Sequence, residues 1–207
     1  MGQYYMPAII DTDGITKTIY SHDFDNGLKL MEHSWIGNEF VNAIYSCILD
    51  NPLRVAWIGD YSDEFDDLNP ESYHLGMTLE DFKVYYDAVW GDKSTRIPKS
   101  SFSPADISLV DAKTKKHYLI NRDLGIFLDM GKYIKRATVT KGNMKGWCIN
   151  PLPLLTACGN NRGGGDFYPG RAKAGYEHVG IWAFHKLEYS KTKPVGFEEV
   201  EYTFIEQ

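Results

Sequence analysis

The chain reads as a single α+β domain, with a mostly antiparallel sheet and two or three packed helices. Three observations predict this. Short β-type runs are punctuated by turn pairs such as Asp13-Gly14 and Asn26-Gly27. One cleanly amphipathic stretch lies between Asn38 and Asn51-Pro52. No internal repeat, low-complexity tract or domain linker interrupts the 207 residues, a length that buries a full core without staples.

Taken in order, Gln3 to Ile10 is aromatic, β-branched and apolar, and reads as a strand stopped by Asp11-Thr12-Asp13-Gly14. Ile15 to Tyr20 resumes β character, so the chain opens on a hairpin. Ser21 to Gly27 is a polar loop, and Leu28 to Trp35 a short strand or an irregular bridge. Asn38 is the expected N-cap of a helix over Glu39 to Leu49. Phe40, Val41, Ile44, Cys47 and Ile48 share one face of it, and Asn51-Pro52 stops it. Leu53 to Ile58 is a compact strand ending at Gly59-Asp60, on which that helix is expected to pack. Tyr61 to Gly76 is acidic and irregular. Thr78 opens a second helix with Asp81 in a capping-box position and an aromatic face of Phe82, Tyr85, Tyr86 and Val89.

Gly91 to Pro104 is an expected exposed loop. Ile107 to Val110 and Lys115 to Asn121 form a predicted hairpin around a lysine-rich turn. Gly125 to Val139 reads as a further strand region. Trp147 to Thr156 carries Pro151 and Pro153, and so reads as an edge strand or extended segment. Tyr176 to Tyr189 and Val195 to Ile205 complete the predicted strands.

Composition narrows the function classes. The net charge of −6 argues against broad nucleic-acid binding, which needs a basic surface. A local basic patch is possible around Lys113, Lys115, Lys116, Lys132, Lys135, Arg136, Lys141 and Lys145, with Asp60, Asp63, Glu64, Asp66 and Asp67 as its acidic counterweight. The 14 Tyr, 10 Phe and 5 Trp suit β-rich cores, ligand pockets and interfaces. Three cysteines without CxxC spacing imply neither a zinc site nor a disulfide framework, and a reducing cytoplasm is their natural setting. No segment approaches about 18 apolar residues, so no membrane span is expected, and the N-terminus lacks the pattern of a signal peptide.

The most informative run is Cys158-Gly159-Asn160-Asn161-Arg162-Gly163-Gly164-Gly165-Asp166. Exposed N–H groups of consecutive glycines can form a concave nest for an anion, and Arg162 adds a planar charged fork. The run lacks the spacing of a P-loop or of a dinucleotide fingerprint. A hairpin or crossover loop in which Arg162 pairs with Asp166 is the structural alternative. Asp60, just past a strand end, either faces Arg162 or a ligand or acts as a turn residue. His22 with Asp23 and Asp25, joined by Glu32 and His33, is an acid–base or metal candidate; satisfied loop histidines are the plainer account. His178 and His185, seven apart on one predicted strand, face opposite ways and make no metal pair. Cys158 has no histidine fixed near it.

Separated blocks also carry a resemblance. They are Met1-Gly2-Gln3-Tyr4-Tyr5, Tyr20-Ser21-His22-Asp23-Phe24, Gly27-Leu28-Lys29-Leu30-Met31-Glu32, Ala56 to Asp63, and Leu155 to Asp166. In this order they resemble a family of tailed-bacteriophage and prophage proteins that open with Met-Gly-Gln-Tyr and carry an Asn-x-Arg-Gly-Gly-Gly-Asp loop. A stretch at about 65–102 is outside the resemblance and reads as a variable insert. The resemblance brings no activity with it. It implies a phage origin and a bacterial host cytoplasm, the setting of small accessory proteins that act against host defence.

The leading expectation is a phage accessory protein that binds a small anionic, nucleotide-like ligand without turnover, using no cofactor and no metal. Its site is Asn160, Asn161, Arg162, Gly163, Gly164, Gly165 and Asp166 with Asp60, Tyr61 and Tyr4, and Tyr4, Trp57 or Tyr61 would stack on the ligand. That site requires the glycine loop, Asp60 and the N-terminal tyrosines to meet in space. The first alternative is an interaction module that inhibits a host protein, its acidic segment mimicking nucleic acid. The second is a hydrolase or phosphodiesterase using His22, Asp23 or Asp60.

Overall fold

The computed structural model describes residues 3–14, 16–62, 77–91, 100–102, 105, 107–110, 116–159, 163–167 and 175–204. Among them lie eight strands, β1 (Tyr5–Ile10), β2 (Thr16–Thr18), β3 (Leu53–Gly59), β4 (Tyr118–Asn121), β5 (Ile126–Asp129), β6 (Ala157–Cys158), β7 (Lys186–Ser190) and β8 (Glu198–Glu199). Five α-helices accompany them, α1 (Leu30–His33), α2 (Glu39–Cys47), α3 (Leu79–Trp90), α4 (Met130–Ala137) and α5 (Pro151–Leu155). The sheet runs β2-β1-β3-β7-β4-β5-β8, with β6 added beside β3. Its pairings are antiparallel except β3–β6 and β5–β8. The α+β class with a mostly antiparallel sheet is therefore what the chain adopts.

β3 is the axis. One edge pairs with β1 over its whole length, from Tyr5↔Gly59 to Ile10↔Arg54. The other edge is shared: β7 pairs with Leu53 and Arg54, and β6 takes Trp57 and Ile58. Both faces are covered. Val55 and Trp57 point into a core shared with Phe40, Val41 and Ile44 of α2, while Ala56 and Ile58 point into a second core under Phe82, Tyr86 and Val89 of α3. Period-2 alternation thus places two apolar sets on two faces, which is why the run Leu53 to Ile58 reads as continuously apolar.

Pro7 sits within β1 at no cost to the ladder. Tyr5 N–H points away from β3 to Leu28 O at 2.8 Å, so by alternation the Pro7 nitrogen lies on that same edge. β2 reaches only as far as Ala8↔Thr18 there, and the missing N–H leaves no ladder partner unmet.

Caps place the helices as local chemistry expects. Asn38 Oδ1 accepts the Val41 N–H at 3.3 Å, and Thr78 and Asp81 form a reciprocal capping box, at 3.1 and 2.9 Å. Three segments expected to be strand, bridge or extended chain contain helices instead. Leu28 to Trp35 holds α1, started by the Glu32 carboxylate accepting the Lys29 N–H at 3.0 Å. The expected strand region Gly125 to Val139 ends its β character at Asp129, whose side chain caps α4 through Lys132 N–H at 3.0 Å. Met130, Tyr133 and Ala137 are then buried at helical spacing. In Trp147 to Thr156 the prolines stand in the first turn of α5, where no N–H is needed. Asn150 caps it, accepting from Leu152 N–H and from Tyr45 Oη–H.

Other elements differ from expectation too. Lys115 to Asn121 was expected to pair with Ile107 to Val110; instead β4 pairs with β5 and β7, and the lysine-rich turn at 111–115 lies outside the described residues. Tyr176–His178 is a single 3-10 turn rather than strand, so His178 and His185 share no strand. Only Glu198–Glu199 of the last predicted strand pairs, parallel to β5.

One buried polar pair of the core links His33 to Trp57. His33 is fully buried; its Nδ1 lies 3.0 Å from Gly27 O and therefore carries the proton, and its Nε2 accepts from Trp57 Nε1–H at 3.1 Å. Burial lowers its pKa to about 4. The unfolded chain takes up this proton near pH 6.5, the folded one only near 4, so stability is full above about pH 6.5 and is lost as pH falls toward 4, by roughly 3 kcal/mol in all. Urea unfolding should thus show a midpoint falling between pH 7 and pH 5. Trp57→Phe, which removes the donor facing Nε2, should flatten that slope while costing about 1–3 kcal/mol at pH 7; a wild-type midpoint independent of pH would contradict the assignment.

Candidate functional site

Two neighbouring regions stand out, a glycine nexus at the end of β3 and a tryptophan-lined groove beside it. The nexus forms where β3 and β6 run parallel, β3 ending at Gly59 and β6 followed by Gly159. The side chain of Gln3, which precedes β1, lies between them. Tyr5 Oη–H donates to Gln3 Oε1 at 2.8 Å. A Cβ on Gly59 would overlap the Gln3 amide; one on Gly159 would lie 2.8 Å from both Gln3 Nε2 and Tyr5 Oη. One on Gly164 would lie 2.9 Å from Gln3 Oε1, and Gly164 has φ of +59° besides. Three glycines from two segments far apart in sequence therefore lack side chains at one place because a single glutamine fills it. Ser62 Oγ–H closes the arrangement by donating to Cys158 O at 2.8 Å.

Asp60 meets the chain's start, and Gly159 and Gly164 lie against Gln3 and Tyr5 of that same segment. Asp60 Oδ1 accepts the Tyr4 N–H at 3.0 Å, and Asp60 N–H donates to Tyr4 O at 2.9 Å. Tyr86 Oη–H of α3 reaches Asp60 O at 2.8 Å. Tyr4 and Tyr61 are both about half exposed, at 44% and 48%. Gly163 pairs with Phe167 across a tight turn, Gly165 is exposed at its tip, and Asp166 Oδ2 accepts the Met31 N–H of α1 at 3.3 Å. Asn160, Asn161 and Arg162 lie outside the described residues, as do Asp63, Glu64, Asp66 and Asp67 of the acidic segment. Trp57, expected to stack on a ligand, is instead wholly buried, its ring spent on His33 and Phe40.

The remaining candidates are dispersed. His22 Nδ1–H donates to Asn26 O at 2.9 Å, and the Asp23 carboxylate accepts from Ser100 Oγ–H. His185 Nδ1 accepts from Asn121 Nδ2–H at 2.8 Å, and burial lowers its pKa. Among the described residues no three His, Cys, Asp or Glu side chains gather as metal ligands. No disulfide joins the three cysteines. Burial raises the thiols of Cys47 and Cys148 to about 11, and Cys158 is only 1% exposed. Of the basic patch, Lys132 pairs with Glu199 and Arg136 with Glu201. No described helix is long and apolar enough to cross a membrane.

The groove was not anticipated. Segment 34–36 pairs with 148–150, through Ile36 N–H to Cys148 O at 2.9 Å and Asn150 N–H to Ser34 O at 2.8 Å. The turn after α4, with Gly142 at φ +78° and Gly146 at φ +90°, carries Trp147 back against Trp35, ring centroids 4.6 Å apart and nearly perpendicular. The resulting groove of about 910 Å³ is walled by Met31, Trp35, Ile36, Ile134, Met144 and Trp147, with Asn26, Glu32 and Asn38 at its polar side. Met31 and Trp147 are 53% and 47% exposed. Met31 also joins the groove to the glycine turn through Asp166. The one sequence signal was Trp147 itself, an aromatic residue directly after a Lys-Gly turn.

No protein-family model matches this chain, and no curated protein or solved structure matches it either.

The nexus makes a coupled prediction. Gly59→Ala should destabilise by about 1–3 kcal/mol, an overpacking cost. In a Gln3→Ala background much of that penalty should vanish, because the atoms that the new Cβ meets are gone. A double-mutant cycle by urea denaturation measures this; strictly additive effects would show that Gln3 is not what Gly59 accommodates.

Proposed function

We propose that this chain is a binding protein that works without turnover, an interaction module that holds a segment of a partner protein in the Trp35–Trp147 groove. The observation that carries the reading is the exposed edge of that groove. Met31 and Trp147 leave large apolar surface in solvent beside a preformed concavity, the arrangement in which aromatic and methionine side chains serve as interface anchors. Its polar members are occupied within the fold: Trp35 Nε1–H donates to Met31 O at 2.7 Å, and Asn38 Nδ2–H to Asn26 Oδ1 at 2.5 Å. A role as a phage accessory protein acting on a host protein suits this reading, and rests on the resemblance of the sequence blocks alone.

A second reading, an anionic ligand at the glycine loop, is favoured by one specific observation. Gln3 Nε2 is buried at the nexus with no hydrogen-bond partner among the described residues, a donor beside Gly59, Gly159 and Gly164. Arg162, Asn160 and Asn161 would supply the charge and further donors. Native mass spectrometry of protein purified gently from a bacterial host tests it: a co-purifying anion that Arg162→Ala abolishes supports it, and an unchanged apo mass in both proteins removes it.

For the groove, Trp147→Ala should leave the melting temperature within about 2 °C of wild type, since a half-exposed side chain contributes little to the core, yet should weaken a purified host complex at least tenfold. Hydroxyl-radical footprinting of that complex should show Met31 and Trp147 protected. Protection confined to other surfaces would overturn the assignment.

A further inference from the structure

The chemistry of the groove's lining selects its occupant. Of the described residues that wall it, Glu32 is the one charged side chain, and no lysine or arginine is among them. Lys135 and Lys145 adjoin Ile134, Met144 and Gly146 in sequence but do not line the groove. The Asn26, Asn38 and Trp35 donors already serve the fold, so the groove offers an anion little to bind. What it does offer is two indole rings set at 84° to one another, methionine thioethers, and a carboxylate at the rim. Indole faces attract cations through their quadrupole, and most strongly when these are partly desolvated. The protein's net charge of −6 steers cations toward it.

Resting on the binding-module reading, we propose that the groove takes an arginine side chain of the partner segment. Its guanidinium lies against the Trp35–Trp147 corner and pairs with Glu32, and its apolar stem and neighbouring residues cover Met31 and Met144. Arginine suits this better than lysine, because a planar, weakly hydrated guanidinium stacks on indole and engages a carboxylate at once. Glu32 can serve both purposes: one carboxylate oxygen, Oε2, caps α1 through Lys29 N–H, and a carboxylate accepts at two oxygens.

The test uses the whole chain and a blocked pentapeptide, acetyl-Gly-Leu-Arg-Leu-Gly-amide, against its citrulline counterpart, which keeps the shape and loses the charge. The readout is the indole N–H signals in a nitrogen–proton correlation spectrum. The arginine peptide should shift Trp35 and Trp147 saturably and leave the buried Trp57 and Trp182 in place. The citrulline peptide should bind about tenfold more weakly. Glu32→Gln, which retains a capping acceptor, should weaken the arginine peptide about threefold or more. Equal binding of the two peptides overturns the arginine proposal while leaving the groove reading intact. No shift of Trp35 or Trp147 with either peptide also overturns the arginine proposal; the groove reading falls with it only if Trp147→Ala leaves the host complex unweakened.

Discussion

The covering of β3 on both faces and both edges is the constraint on which the structure depends. A strand so enclosed needs a hydrogen-bonding partner along each edge and an apolar partner on each face, since unmet backbone groups and exposed apolar surface are both costly. β1 meets the first edge completely. β7 and β6 divide the second, and Phe184, a non-glycine residue at φ +64°, stands just ahead of β7 with its N–H on Val55 O at 2.9 Å. Val55 N–H to His185 O and Trp57 N–H to Thr156 O bridge the change of partner. α2 and α3 then cover opposite faces, and Trp57 anchors the α2 side through His33 rather than offering itself to a ligand.

The end of this strand explains why conspicuous sequence blocks lie so far apart. Gly59, Gly159 and Gly164 have no common local role; each is small because the Gln3 amide occupies the same few ångströms. The glycine loop, read as a phosphate-type cradle, owes at least these glycines to packing. The spacing of an anion nest and the spacing of a packed nexus look alike in sequence, since both place glycine where a backbone or side chain approaches closely. The unmet Gln3 Nε2 is the feature of the nexus that points outward from the packing account.

The groove arises from a different logic. Its walls come from α1, α4 and two connecting segments, and its floor exists because residues 34–36 and 148–150 pair as a short ladder. A partner bound there would contact both the Trp147 turn and, through Met31 and Asp166, the glycine turn. The two candidate regions are thus physically continuous: α1 receives the Asp166 carboxylate at its N-terminal end and presents Met31 to the groove.

By itself the sequence determined the fold class, the opening hairpin, the strand Leu53 to Ile58, and the two helices capped by Asn38 and Thr78, because period and cap chemistry are local signals that packing reinforced. It left α1, α4 and α5 within segments read as strand, irregular bridge or extended chain. Four to eight residues hold too little periodicity to choose, and the choice was made by the Glu32, Asp129 and Asn150 side chains bonding to backbone N–H groups. Of the candidate site, the sequence required Asp60, the N-terminal tyrosines and the glycine loop to meet; the part taken by Gln3, which Gly59, Gly159 and Gly164 surround, had no local signal. Trp35 and Trp147, 112 positions apart by number, become one surface only when β-type pairing brings their segments together. Nothing local records such a contact, and so the groove, and with it the function proposed for the chain, belongs to the tertiary structure.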